Sequence, residues 1–129
     1  MIYGVGTDIV SIDRIKDIIS KNRDGFIKRV LTDHEQALFT NKADSPAFCA
    51  KRFAAKEAFS KALGTGFSSN LNFKDIEIIN DKKGMPKYAE NKKIIKIVQR
   101  KYKIKKFNSF LSISDEKDYS TAFAIIEST

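Results

Sequence analysis

The chain has 129 residues, 42% of them hydrophobic, with ten Phe, no Trp and one cysteine, Cys49. That length suits a single domain spanning 1–129, with a core that stands without disulfides or a structural metal. One cysteine excludes an internal disulfide and suits a reducing cytoplasm, while a net charge of +8 calls for an anionic partner.

Residues 2–10, IYGVGTDIV, are nearly all apolar or small and predict a strand covered on both faces. Asp8 interrupts the apolar run and no basic region precedes it, so no signal peptide is expected. Ser11 is the candidate cap of a helix of about 11 residues, with Ile12, Ile15, Ile18 and Ile19 on one face. Asp13, Arg14, Lys16, Asp17 and Lys21 fall on or beside the other face. A short apolar segment around Phe26, Ile27, Val30 and Leu31 follows, and Thr32 with Glu35 fits a capping box for another short helix.

Ser45-Pro46 starts a longer helix, Ser as cap and Pro in its first turn, which runs to Leu63 and stops at Gly64. Ile76, Ile78 and Tyr88 suggest two short strands joined by the turn Asp81–Pro86. Residues 91–103 predict a basic amphipathic helix with Ile94, Ile95, Val98 and Tyr102 inward. Two strands, 107–114 and 120–127, close the chain around the turn 115–118. The order β-ααα-ββ-α-ββ predicts an α+β fold, a mostly antiparallel sheet packed by helices. No stretch nears the roughly 18 apolar residues that would span a bilayer, so no membrane role is expected.

The most informative stretch is Arg52–Ala62, RFAAKEAFSKA. It sets Glu57 one helical turn before Lys61 on a helix otherwise rich in Ala and Phe. Glu57 then lies against Phe53 and Ala54, partly desolvated, and its charge needs compensation. A Glu57–Lys61 ion pair along the helix is one answer. A divalent cation shared with Asp8, the lone acid of the first strand, is the other; Asp8 alone also reads as a cap for the helix that follows it. Mg²⁺ is the natural ion for such a pair, since it takes one or two carboxylates together with water and substrate phosphates.

One His and one Cys, far apart, give no zinc set and no Ser-His-Asp triad. His34 reads as a solvent-facing helix residue and Cys49 as a small core side chain. Gly64-Thr65-Gly66 reads as a stop and turn, because a helix C-terminus is the wrong end for an anion. The run from Lys92 to Lys106 holds eight basic residues and no acid. It reads as the solvated face of a surface helix, with nucleic-acid binding the less favoured alternative.

GTDIV at 6–10 and RFAAKEAFSKALGTG at 52–66 resemble the short trimeric holo-acyl-carrier-protein synthases of the 4′-phosphopantetheinyl transferase superfamily. The opening MIYGVGTDIVSIDRI, Leu31-Thr32 with Glu35, Asp75–Ile78 followed by Gly84 and Pro86, and Ser112-Ile113-Ser114 followed by Tyr119 and Ala122 carry the resemblance along the whole chain. It implies transfer of 4′-phosphopantetheine from coenzyme A to a serine of acyl carrier protein, serving fatty acid biosynthesis in the cytoplasm. Asp8 and Glu57 match the family's magnesium ligands and Lys61 its pyrophosphate-contacting lysine; these three are the implied catalytic residues. Glu57, or a water held by Asp8, takes the serine proton in that reading. Arg52 and Lys42 would meet phosphates of the cofactor, Gly84 and Pro86 would line the adenine pocket, and Arg14 and Lys21 would dock the acidic carrier protein. The resemblance also implies a homotrimer with pockets between neighbouring subunits. One position departs from it: Asp115 stands where the family usually has histidine, and an anion there repels coenzyme A phosphates.

Overall fold

The computed structural model describes residues 1–68 and 70–128. Strand β1 (Ile2–Ser11) leads into helix α1 (Ile12–Val30), then α2 (Asp33–Asn41) and α3 (Pro46–Leu63). A 3-10 turn at Phe73–Asp75 precedes the short strands β2 (Ile78–Asn80) and β3 (Pro86–Tyr88). Helix α4 (Lys92–Tyr102) and the strands β4 (Phe107–Asp115) and β5 (Tyr119–Ser128) complete the chain. The α+β reading holds: β1, β5 and β4 form an antiparallel sheet in that order, and β2 with β3 forms a separate antiparallel pair.

Local signals set most of the helix ends. Ser11 accepts from the Arg14 amide, Thr32 and Glu35 make the full capping box, and Ser45 accepts from the Phe48 amide. Each such cap is worth about 1 kcal/mol. Gly64 ends α3 at φ 77°, a left-handed conformation glycine enters without strain. The first helix differs from expectation. It reaches Val30 rather than stopping after about three turns, with one interruption at Asn22, φ −155° and ψ 70°. The Asn22 side chain accepts from the Gly25 amide and so caps the second half, which buries Phe26, Ile27 and Val30.

Helix α3 is the centre of the molecule. Ala50, Ala54, Ala55, Ala58 and Ala62 are buried along it, together with Phe48, Phe59 and Leu63. Its small side chains let β1 lie directly on it. A Cβ on Gly6 would sit well under 3.0 Å from the Ala58 carbonyl oxygen and the Ala62 amide, and one on Gly4 would overlap the Ala62 carbonyl. The Tyr102 hydroxyl donates to that same Ala62 carbonyl, tying α4 to the end of α3.

A fully buried ion pair locks the other side of α3. Lys56 Nζ lies 2.6 Å from Glu35 Oε1 and donates at 2.6 Å to the Val30 carbonyl. Glu35 also accepts from the Thr32 and Ile78 amides, both at 3.0 Å. One carboxylate thus joins α2, α3 and β2. Burial pulls the Lys56 ammonium downward in pKa, and Glu35 opposes that pull. Breaking such a pair costs about 3–5 kcal/mol, because the orphaned charge stays buried.

The opposite face of the three-stranded sheet is apolar and open. Val5, Ile125 and Phe110 share one row across it, with Phe123 and Ile9 in the next two. Val5 is 51% exposed, Ile9 64% and Phe110 50%, high values for side chains of this kind. Among the described residues no helix is long and apolar enough to cross a membrane.

The close approach of β1 to α3 makes a direct prediction. Gly6→Ala places a methyl group against backbone that cannot yield, so it should destabilise the protein by about 3 kcal/mol or more. Denaturant unfolding checks this; an unchanged midpoint would show that the strand does not rest on the helix.

Candidate active site

The sheet register carries Asp8 onto the face that packs against α3, in the row Asp8–Ala122–Ile113. Four residues separate Glu57 from Lys61, so both project from one side of α3, offset by about 40°. The antiparallel crossing of β1 over α3 then brings three charged side chains together. Lys61 Nζ lies 3.1 Å from Asp8 Oδ1 and donates at 3.0 Å to the Thr7 carbonyl. The Asp8 side chain is 14% exposed and that of Lys61 51%.

Glu57 completes the group. Its carboxyl is raised above the ordinary glutamate value, first by partial burial and next by the negative charge of Asp8. Lys61 and Arg14 pull it the other way, which places both cations near the pair. The along-helix ion pair weighed for Glu57 is not what forms: Lys61 pairs with the strand carboxylate instead. The helix backbone cannot prevent this, since a four-carbon lysine stem reaches a second element as easily as its own.

Two carboxylates under mutual repulsion form a hard, all-oxygen donor set. No cluster of three or more His, Cys, Asp or Glu exists among the described residues, which leaves nothing resembling a zinc site. The pair fits Mg²⁺, which commonly draws only one or two ligands from the protein. Cys49 is buried, its thiol pushed up to about 12 by that burial, and His34 is exposed on α2.

The remaining candidates lie elsewhere. Arg52 projects about 140° around α3 from Glu57. Its guanidinium lies over the Phe48 ring, with Nε 3.4 Å from Glu35 Oε2 and a hydrogen bond to Asn80 Oδ1 at 3.3 Å. The Asn80 amide donates to the Gly84 carbonyl at 2.9 Å, and Asn80 pairs with Pro86 across the β2–β3 ladder. Arg52, Gly84 and Pro86 therefore form a second group around Asn80, separate from the carboxylates. Gly84 sits in the exposed turn at φ 86°. Lys42 is exposed at the end of α2, where its amide caps the helix. Arg14 and Lys21 are both exposed on α1, seven residues apart and so on one face. Asp115 is exposed at the end of β4, opposite Ser120, with no ion pair among the described residues.

A groove of about 810 Å³ runs between β3, α4 and β4 and is lined by Pro86, Tyr88 and Phe107 among others. None of Asp8, Glu57 and Lys61 borders it. The charged groups converge at the carboxylates and not at this groove. Sequence reasoning missed the Glu35–Lys56 pair on the other side of α3. The signal was present: Lys56 occupies the same Ala/Phe helix that made Glu57 conspicuous, and the same need for compensation applies to it.

Two carboxylates flanked by a lysine and an arginine, on an α+β frame, suit chemistry on phosphate esters. The chain belongs to the 4′-phosphopantetheinyl transferase superfamily, whose family model matches residues 4–124. It is 51% identical over 128 residues to a holo-[acyl-carrier-protein] synthase of Ruthia magnifica subsp. Calyptogena magnifica, covering 98% of each chain. The Neisseria meningitidis holo-[acyl-carrier-protein] synthase crystal structure superposes with a TM-score of 0.87 at 40% identity, covering 98% of this chain and 99% of that one. A Bacillus anthracis str. Ames holo-(acyl-carrier-protein) synthase, solved in complex with CoA (3′,5′-ADP), gives a TM-score of 0.81 at 34% identity, over 100% and 99% of the two chains.

The raised Glu57 carboxyl predicts a pH signature. Folding favours its protonated form, so that contribution to stability is present at low pH and is lost as pH rises through the folded-state value. Asp8→Asn removes the second cause of the shift and leaves burial, the largest. Carboxyl NMR titration should show the Glu57 value fall part of the way to that of a free glutamate; no movement would mean the two side chains are not neighbours.

Proposed function

We propose that this chain transfers the 4′-phosphopantetheine of coenzyme A to a serine of apo-acyl carrier protein, releasing adenosine 3′,5′-bisphosphate. The observation that carries this reading is the convergence of Asp8, Glu57 and Lys61 where β1 crosses α3. Family membership and the coenzyme A complex of a relative support the substrate. The whole chain, 1–129, acts as one catalytic domain, in the cytoplasm and in the service of fatty acid biosynthesis.

In this reading Asp8 and Glu57 would hold Mg²⁺, which when bound would neutralise charge gathering on the diphosphate. Glu57, or a water held by Asp8, takes the serine proton. The serine oxygen forms its bond to the phosphorus that carries pantetheine, and the bond from that phosphorus to the bridging oxygen breaks. The electron pair leaves with adenosine 3′,5′-bisphosphate. Lys61 stabilises that departing phosphate.

The nucleotide end is assigned to the group around Asn80, where Gly84 and Pro86 shape the adenine pocket and Arg52, with Lys42, meets the phosphates. That group and the carboxylates face different sides of α3 within one chain. Their separation, and the uncovered apolar sheet face with Val5, Ile9 and Phe110, support a homotrimer in which each pocket joins two subunits. Arg14 and Lys21, on the exposed face of the helix that begins four residues after Asp8, dock the acidic carrier. The +8 charge steers it there. Nucleic acid has no part in this reading, and Asp115 is assigned no binding role.

Incubating the protein with apo-carrier protein, coenzyme A and Mg²⁺ tests the proposal by mass spectrometry of the carrier. A phosphopantetheine-sized mass gain is expected with the wild type. Glu57→Ala should lower its rate by at least about a hundredfold, the scale on which general-base catalysis operates, with thermal unfolding little altered. No gain from the wild type, or near-normal turnover in Glu57→Ala, would overturn the reading.

A further inference from the structure

Two lysines of α3 face carboxylates, and they are held in opposite ways. Lys56 is wholly buried, fixed between Glu35 and the Val30 carbonyl. Lys61 keeps half of its side chain in solvent and reaches back to β1, where its ammonium meets Asp8 and the neutral Thr7 carbonyl. The first arrangement is permanent, since releasing Lys56 would strand two buried charges. The second is not. A half-exposed ion pair on a flexible stem is weak and is given up at little cost.

Asp8 and Glu57 nonetheless need a positive charge between them. Both are partly withdrawn from water and each repels the other, so the site carries excess negative charge unless a cation is present. The ammonium on Asp8 Oδ1 supplies one from within the chain. A dication drawing on the same carboxylate repels that ammonium, and only the Thr7 carbonyl would remain to keep it. Lys61 would then be a free cation at the edge of the site, where a substrate phosphate can take it.

We propose that Lys61 is a resident place-holder: it neutralises Asp8 while no dication is bound, and is displaced by the dication to become the phosphate contact. This rests on the reading of Asp8 and Glu57 as metal ligands. It makes metal binding and coenzyme A binding mutually reinforcing through one side chain, because each partner favours the same displaced position of Lys61. It also gives Lys61 a role before the substrate arrives, in addition to stabilising the phosphate that leaves.

Titration with Mn²⁺ alone, followed by the EPR signal of the free ion, tests this without any turnover. Lys61→Met should bind Mn²⁺ roughly three- to tenfold more tightly than the wild type, having lost both a competitor and a repelling charge. Lys61→Gln should behave in the same direction, and circular dichroism verifies that both variants are folded. Coenzyme A should then tighten Mn²⁺ binding by a smaller factor in Lys61→Met than in the wild type. Equal or weaker Mn²⁺ binding by the Lys61 variants would overturn the place-holder while leaving the metal site standing. Unaltered Mn²⁺ binding in Asp8→Asn would instead remove the metal reading, and this inference with it.

Discussion

Everything in this molecule depends on a strand being allowed to touch the backbone of a helix. Gly4 and Gly6 leave β1 without side chains where it crosses Ala58 and Ala62, and the contact is backbone on backbone. A single added methyl would lift the strand away. With the strand seated, the alternation of side chains along it decides the rest: Gly4, Gly6 and Asp8 face the helix while Val5, Thr7 and Ile9 face outward. The carboxylate two residues beyond the last small residue therefore arrives beside Glu57 with no loop to place it. Rigid elements, not loops, hold the pair.

The same helix carries charge on two sides, and the contrast explains how the fold tolerates it. On the α2 side, Glu35 uses its two oxygens on Lys56, the Thr32 amide and the Ile78 amide, with Arg52 beside them. Every demand of that buried carboxylate is met from within the chain, so it works as a fastener. On the β1 side, two carboxylates share half-exposed Lys61 and a nearby Arg14, and the Glu57 carboxyl is raised first by its burial and then by the charge of Asp8. Saturated charge makes a framework, whereas the undersupplied pair is the proposed place for a further cation.

Much of this was legible from local sequence. Ser11, Thr32 with Glu35, Ser45-Pro46 and Gly64 mark helix ends by chemistry that acts over three or four residues, and all perform as expected. The first strand and its lone acid were visible for the same reason, but the strand was expected to be covered on both faces, and only the α3 side is. Val5 and Ile9 on the other face stay open in the single chain, since an apolar run does not say what covers it. What sequence could not supply were partners at long range. Glu35 reads as a capping-box residue because its contact with Thr32 is local, yet its heavier duty is to Lys56 and Ile78, 21 and 43 residues away. Lys61 reads equally well as a partner of Glu57 or of something distant, and helix geometry alone does not decide. The bond to Asp8, 53 residues away, does. Asn22 was missed because the chain breaks its helix there without proline and restarts it through a side-chain cap. The family resemblance reached the activity sooner than the residues did, for physics alone had left an ion pair and a metal site as rivals.

Anomalous diffraction from crystals soaked in Mn²⁺ tests most directly whether the strand and the helix were brought together to share one ion. The account predicts a peak whose coordination sphere contains an oxygen of Asp8 and an oxygen of Glu57, with the Lys61 ammonium moved off the strand. A manganese ion held by neither side chain, with Lys61 still on Asp8, would contradict it.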